Sequence, residues 1–170
     1  MDVHNAASVD ARLDTEHGPV VLTHDRLDTN EIIVSVGDDA AGAVAVFIGT
    51  TRNSFKGKVV TKLEYQAYSK LAIKTISDIL TTTRASVSRS SHDPSPNAVS
   101  PLIRCTVHHR LGTVPVGEPS IVIAVSSPHR REAFAACELI LEEVKKKAQI
   151  WKREYYEGER EEDAEWKANA

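Results

Sequence analysis

The feature that most constrains the fold is a pair of short, near-continuous apolar runs. Gly42-Ala-Val-Ala-Val-Phe-Ile-Gly49 and Ser120-Ile-Val-Ile-Ala-Val125 are too short for a long helix, and they are rich in β-branched residues and bounded by glycine or serine. Runs of this kind read as buried strands covered on both faces. They require a sheet with something packed on each side. The chain of 170 residues is long enough for one such core and short for two.

Other strands follow from period-two patterning. Pro19–Thr23 is a candidate first strand. Thr61, Leu63, Tyr65 and Ala67 alternate with Lys62, Glu64 and Gln66. Leu102–His109 and Ile150–Tyr156 complete the set. Two helices are written in stripes of period 3.6: Ile73, Ile76, Ile79 and Leu80 within 71–84, and Phe134, Cys137, Ile140, Leu141 and Val144 in a helix running to Lys147. Ser126-Ser127-Pro128 supplies cap residues and a proline suited to the start of that second helix. Asp28-Thr-Asn-Glu31 has capping-box spacing and predicts a short helix to Val36, stopped by Gly37, although Ile32-Ile-Val-Ser-Val36 has strand propensity. Gly112, Pro115 and Gly117 mark a turn. Strands and helices interleave with both hairpins and crossovers, so the class is α+β with a mixed, largely antiparallel sheet.

The expected organisation is a loose arm over 1–16, one domain over 17–160 and an acidic, frayed tail over 161–170. A Ser/Pro/Asn-rich loop over 85–101 is inserted in the domain, and it has no apolar period to bury.

Composition narrows the function. Net charge is −3 and aromatic residues make up 5%, which argues against nucleic-acid binding by a general basic field or a stacking platform. No apolar run reaches the ~18 residues of a membrane helix, and no secretory signal is visible. A cytoplasmic, non-membrane protein is expected. Cys105 and Cys137 both fall in apolar patterns and read as buried small hydrophobes. Neighbouring His108 and His109 point to opposite faces of a strand. With no ligand spacing elsewhere, neither a metal nor a cofactor is expected.

Three groups of cations stand out. Arg52 follows an apolar strand on a polar loop, a placement suited to an anion. His129-Arg130-Arg131 opens a helix, the end where cations are unfavourable unless something negative is bound. Lys145, Lys146 and Lys147 close the same helix, where they favour the dipole, and Lys152-Arg153 follow Trp151. A lysine whose charge is disfavoured by its surroundings serves as nucleophile or general base.

Five segments in order resemble the family of large, catalytic subunits of molybdopterin synthase. They are Gly42-Ala-Val-Ala-Val-Phe-Ile-Gly-Thr-Thr-Arg-Asn53, Leu63-Glu-Tyr-Gln-Ala-Tyr68, His108-His-Arg-Leu-Gly112, Val125-Ser-Ser-Pro-His-Arg130 and Ile150-Trp-Lys-Arg-Glu154. The resemblance spans about Pro19 to Trp166. It implies an α+β fold with a hammerhead-like subdomain, and a homodimer at the centre of a heterotetramer. It also implies a partner, a small ubiquitin-like sulfur carrier whose C-terminal Gly-Gly bears a thiocarboxylate. The reaction implied is sulfur transfer to cyclic pyranopterin monophosphate (precursor Z), giving the molybdopterin dithiolene without a metal.

By the same resemblance, Arg52 matches a strand-end arginine, and His129 and Arg130 match a pair that holds the pterin or its phosphate. Lys145 matches the helix lysine near the partner's tail. Lys152 matches the lysine of a Trp-Lys-Arg-Glu segment that also brings Arg153 and Glu154, and Phe47 matches a pocket wall. Lys145 and Lys152 are the expected catalytic pair. The chain departs from the family in having Gln149 where proline is usual, so the helix could run on. On one continuous helix Lys145 and Lys152 would lie about 10 Å apart on one face. A docking subunit without catalysis, or an RNA-binding domain using the same cations, are the competing readings.

Overall fold

The computed structural model describes residues 7–87 and 102–169, so most of the Ser/Pro-rich loop expected over 85–101 lies outside the described residues. Two sheets carry the chain. The first has the order β1 (Ala11–Thr15), β2 (Gly18–Thr23), β6 (Arg104–Arg110), β8 (Pro119–Ser127), β3 (Ala43–Thr50). Only the β2–β6 pair in it is parallel. The second has the order β10 (Lys167–Ala168), β9 (Ile150–Tyr156), β5 (Lys58–Ala67), β4 (Ser54–Phe55), with β7 (Gly112–Pro115) also paired to β5. The expected α+β class with mixed, mostly antiparallel sheets is what the chain forms.

Among the described residues, the α-helices that clothe the first sheet are α1 (Thr29–Ser35), α2 (Ser69–Ser86) and α3 (Arg130–Lys147). Helices α2 and α3 pack on one face over Ile73, Ile76, Ile140 and Val144. Helix α1 covers the other face, with Ile32 and Val36 against Val122 and Ala124. This double cover explains why Ser120–Ser127 of β8 is buried throughout. Truncating Ile140 there would cost about 2–5 kcal/mol.

The helix α1 settles the conflict between cap and propensity. The Asp28 carboxylate accepts from the Glu31 N–H at 3.0 Å, and Gly37 N–H closes on Val34 C=O at 3.0 Å. The cap and the burial of Ile32 outweigh the β-branched preference of a helix of about two turns.

Several expectations are corrected. The run Ala43–Thr50 is an edge strand, not a doubly buried one: of its residues only Ala45 is buried, while Val44 and Ile48 are exposed. A continuous apolar run does not distinguish an edge from a centre, because pairing partners are not written in it. Residues 11–15, placed in the loose arm, form β1 on β2. The acidic tail is tied back by a 3-10 turn (Glu161–Asp163) and by β10 on β9. Gly112–Pro115 is a short strand on β5 rather than only a turn. A register shift between Val60 and Lys62 changes parity, so Val60 is buried and Thr61 exposed. On α3, Phe134 is 66% exposed, and Ala133 and Ala136 take the inward positions beside Cys137 and Ile140. Ser126 and Ser127 belong to β8, and His129 is the N-cap, without a side-chain cap bond.

Helix α3 stops without the proline. Ala148 turns extended at ψ 140, Gln149 C=O accepts from Tyr68 N–H at 3.0 Å, and Gln149 Oε1 accepts from Thr75 Oγ1 at 2.9 Å. Pairing of Ile150 with Ala67 then starts β9. The premise of one continuous helix through Lys145 and Lys152 is thereby overturned. No helix of the described residues is long and apolar enough to cross a membrane.

Candidate active site

A cavity of about 420 Å³ opens where the β3–β8 end of the first sheet meets β5 and β9 of the second. Its apolar wall includes Phe47, Leu63, Tyr65 and Ile121. Its charged rim is Arg52, Lys145, Lys152 and Glu154. Each cation comes from a different element. Arg52 is on the loop after β3, Lys145 is in the last turn of α3, and Lys152 is on β9. Gly49 keeps the cavity open: a Cβ there would lie 2.8 Å from Ile121 Cγ2 and 3.2 Å from the Phe47 ring.

Strand alternation sorts the Trp-Lys-Arg-Glu segment. Lys152 and Glu154 face the cavity, with Lys152 Nζ 3.6 Å from Glu154 Oε1. Glu154 is further held by the Tyr156 hydroxyl, which donates to its other oxygen. Burial, and then that carboxylate, push the Tyr156 phenol up to about 12, so it remains a donor. Arg153 points the other way. Its Nε donates to Glu64 Oε2 at 3.0 Å, beside the Tyr155 hydroxyl at 2.5 Å, and its guanidinium lies 4.6 Å from the Trp166 ring centre. Arg153 braces β9 against β5 and does not line the cavity. Adjacent strand residues face opposite ways, which is the reason the triplet cannot act as one group.

His129 and Arg130 do not reach this cavity. They sit at the far end of α3, and 15–16 residues of helix put them about 22–24 Å from Lys145. Of the three closing lysines, only Lys145 lines the cavity. Lys147 pairs with Glu143 one turn back. Cys105 and Cys137 are buried, and burial pushes both thiols up to about 11. They are poor nucleophiles where they lie.

Polar lining residues not marked as site residues in the sequence include His109, Ser120 and Asn169. His109 had a usable signal, because it continues the inward alternation Cys105, Val107, His109 on β6. Asn169 had none, since its place depends on the tail folding back along β9.

A family model described as MoaE protein matches residues 22–147. The chain belongs to the MoaE protein family. Among its relatives, a molybdopterin synthase catalytic subunit of Aedes aegypti is 43% identical over 148 residues, covering 87% of each chain. A molybdopterin synthase catalytic subunit of Pyricularia oryzae is 45% identical over 150 residues, covering 88% of this chain and 74% of the relative. Among solved structures, molybdopterin synthase from Staphylococcus aureus superposes with a TM-score of 0.71 at 29% identity, covering 86% of this chain and 94% of that one. The matched span of the family holds Phe47, Arg52, His129, Arg130 and Lys145. Lys152 and Glu154 lie just beyond it, on the strand that closes the cavity.

Proposed function

We propose that this chain, as the catalytic subunit of a molybdopterin synthase, is a sulfurtransferase whose reaction takes place in the cavity of Arg52, Lys145 and Lys152. The single observation that carries this is the convergence of three cations from three elements on one cavity, in a chain 43% identical to named catalytic subunits. Cations gathered beside an apolar wall suit a ligand that is a flat heterocycle with an anionic phosphate. Cyclic pyranopterin monophosphate has both parts.

The name "catalytic subunit" implies a second subunit. The proposed partner is a small ubiquitin-like sulfur carrier, whose C-terminal Gly-Gly thiocarboxylate threads into the cavity. Each transfer breaks the acyl carbon–sulfur bond of a thiocarboxylate and forms a carbon–sulfur bond at a substrate carbon in place of an oxygen substituent, which leaves, while water completes the acyl group as a carboxylate. Two transfers complete the dithiolene. Arg52 and Lys152 hold the phosphate, while Glu154 and Tyr156 hold Lys152 in place. Lys145 stands at the incoming tail as proton donor and acceptor, or as a transient amine partner for the acyl group.

The remote His129 and Arg130 fit this reading if the chain works as a homodimer. A second copy would present the N-terminus of its α3, with His129 and Arg130, to the cavity of the first. Two such dimeric sites, each with one carrier, make a heterotetramer.

The test is reconstitution. The chain, thiocarboxylated small subunit and cyclic pyranopterin monophosphate are mixed, and the pterin products are analysed by mass. Product with two added sulfurs supports the proposal. Binding of the carrier with the pterin unchanged would favour the docking reading.

A further inference from the structure

We propose that His109 is a positioning residue for this reaction, its Nε2 accepting a hydrogen bond from an amide N–H of the partner's C-terminal tail. The inference deepens the function proposed above and rests on it.

His109 is on β6 at the cavity wall, 1% exposed. Its Nδ1 lies 2.8 Å from the backbone oxygen of Arg110. A carbonyl only accepts, so Nδ1 carries the proton and the neutral ring presents a lone pair at Nε2. Burial holds the imidazole down to about 4, so the lone pair is available at neutral pH. The ring plane is fixed by Tyr65, which packs edge-on with centroids 4.9 Å apart at 73°. The result is a rigid acceptor that takes a donor from one direction.

The structure shows what kind of donor that direction takes. The side-chain amide of Asn169 lies 3.3 Å from His109 Nε2. Asn169 belongs to a C-terminal segment laid along β9. Lys167 and Ala168 pair with Lys152 and Trp151, and Asn169 N–H donates to Ile150 C=O at 3.2 Å. An extended tail running beside β9 thus delivers an amide N–H to this acceptor.

An incoming Gly-Gly tail offers little else to recognise. It has no side chains, only amide N–H groups, carbonyls and its acyl end. Lys145 addresses the acyl end, and a neutral buried acceptor is what reads an N–H. Glycine also leaves room for the close approach that a fully buried ring demands. The partner's tail takes the place of the Asn169 amide, and Asn169 withdraws.

The experiment compares wild type, His109→Phe and His109→Gln. Each is titrated with the intact small subunit and with a small subunit lacking its last two residues. Phe keeps a ring against Tyr65 and removes the acceptor. Gln keeps an amide oxygen near the Nε2 position. The quantity read is the affinity ratio of intact to truncated partner within each variant, so a loss of folded material cancels. The expected result is a ratio about tenfold smaller in His109→Phe, the scale of one buried hydrogen bond, with recovery in His109→Gln. The KM for the thiocarboxylated partner rises more than kcat falls. A full ratio in His109→Phe overturns the inference. So does a change confined to the KM for the pterin, which would assign the N–H to the substrate. A wild-type chain that binds both partners equally would instead overturn the tail-threading function on which the inference rests.

Discussion

Lys145 and Lys152 line one cavity although the helix that carries the first ends before the second. Between them the chain breaks at Ala148 and starts β9 at Ile150. The two amines approach from a helix end and from a strand, so neither substitutes for the other. Lys152, anchored beside Glu154, has the fixed position of a binding group. Lys152→Ala is expected to raise the KM for the anionic pterin by about 10-fold or more, the range for a hydrogen bond to a charged group, with a smaller fall in kcat. Steady-state kinetics in the pterin checks this. An unchanged KM would remove Lys152 from the phosphate site.

Sulfur should not travel on the chain's own cysteines. Cys105 and Cys137 are buried with raised thiol pKa values. The double change Cys105→Ser, Cys137→Ser should retain dithiolene formation, while burying two hydroxyls lowers stability by about 1–3 kcal/mol each. Denaturant unfolding and product analysis separate the two effects. A folded double variant without turnover would place a sulfur relay on this subunit.

The two adjacent histidines make stability depend on pH. Burial lowers both His108 and His109 from 6.5 to about 4, with Arg12 adding to the effect at His108. Between about pH 6.5 and 4 the unfolded chain binds protons that the folded chain refuses, so stability falls as pH falls through that window, and this contribution levels off below it. His108→Gln should flatten the fall in Tm between pH 7 and 4 relative to wild type. Parallel curves would mean that His108 ionises freely in the fold.

The separation of His129 and Arg130 from Lys145 makes a mixed dimer informative. In a dimer of one Lys145→Ala chain and one Arg130→Ala chain, one cavity carries both lesions and the other carries neither. Random exchange of the two inactive variants should therefore recover about a quarter of wild-type turnover, since half the dimers are mixed and each has one intact site. No recovery would confine the site to a single chain.

Much of the fold was legible because its signals are local. The stripes of α2 and α3, the Asp28 cap and the apolar β8 follow from spacing alone. What was not legible depends on partners distant in sequence. Whether Ala43–Thr50 lies at an edge, whether Ala11–Thr15 and Lys167–Ala168 find a strand to pair with, and the parity change at Thr61 are all decided by pairing. The site divides in the same way. Arg52, Lys145, Lys152, Glu154 and Phe47 were marked in sequence, and the fold brings them together. Arg153 was marked with them, and strand alternation turns it away. His109 was dismissed with the metal reading of the His-His pair, when its inward parity was the informative property.

The most direct test of the central claim is single-residue turnover at the end of α3. Lys145→Ala, Lys146→Ala and Lys147→Ala are assayed for conversion of cyclic pyranopterin monophosphate at saturating thiocarboxylated partner, with partner affinity measured in parallel. Of these three lysines only Lys145 lines the cavity, so Lys145→Ala should lose at least ~10²-fold in turnover, the low end for a positioned proton-transfer group, with partner affinity nearly intact. Lys145→Arg should also be poor, because guanidinium does not deprotonate. Lys146→Ala and Lys147→Ala should be mild. Equal losses at all three lysines, tracking partner affinity, would contradict the account and make the helix end a docking patch.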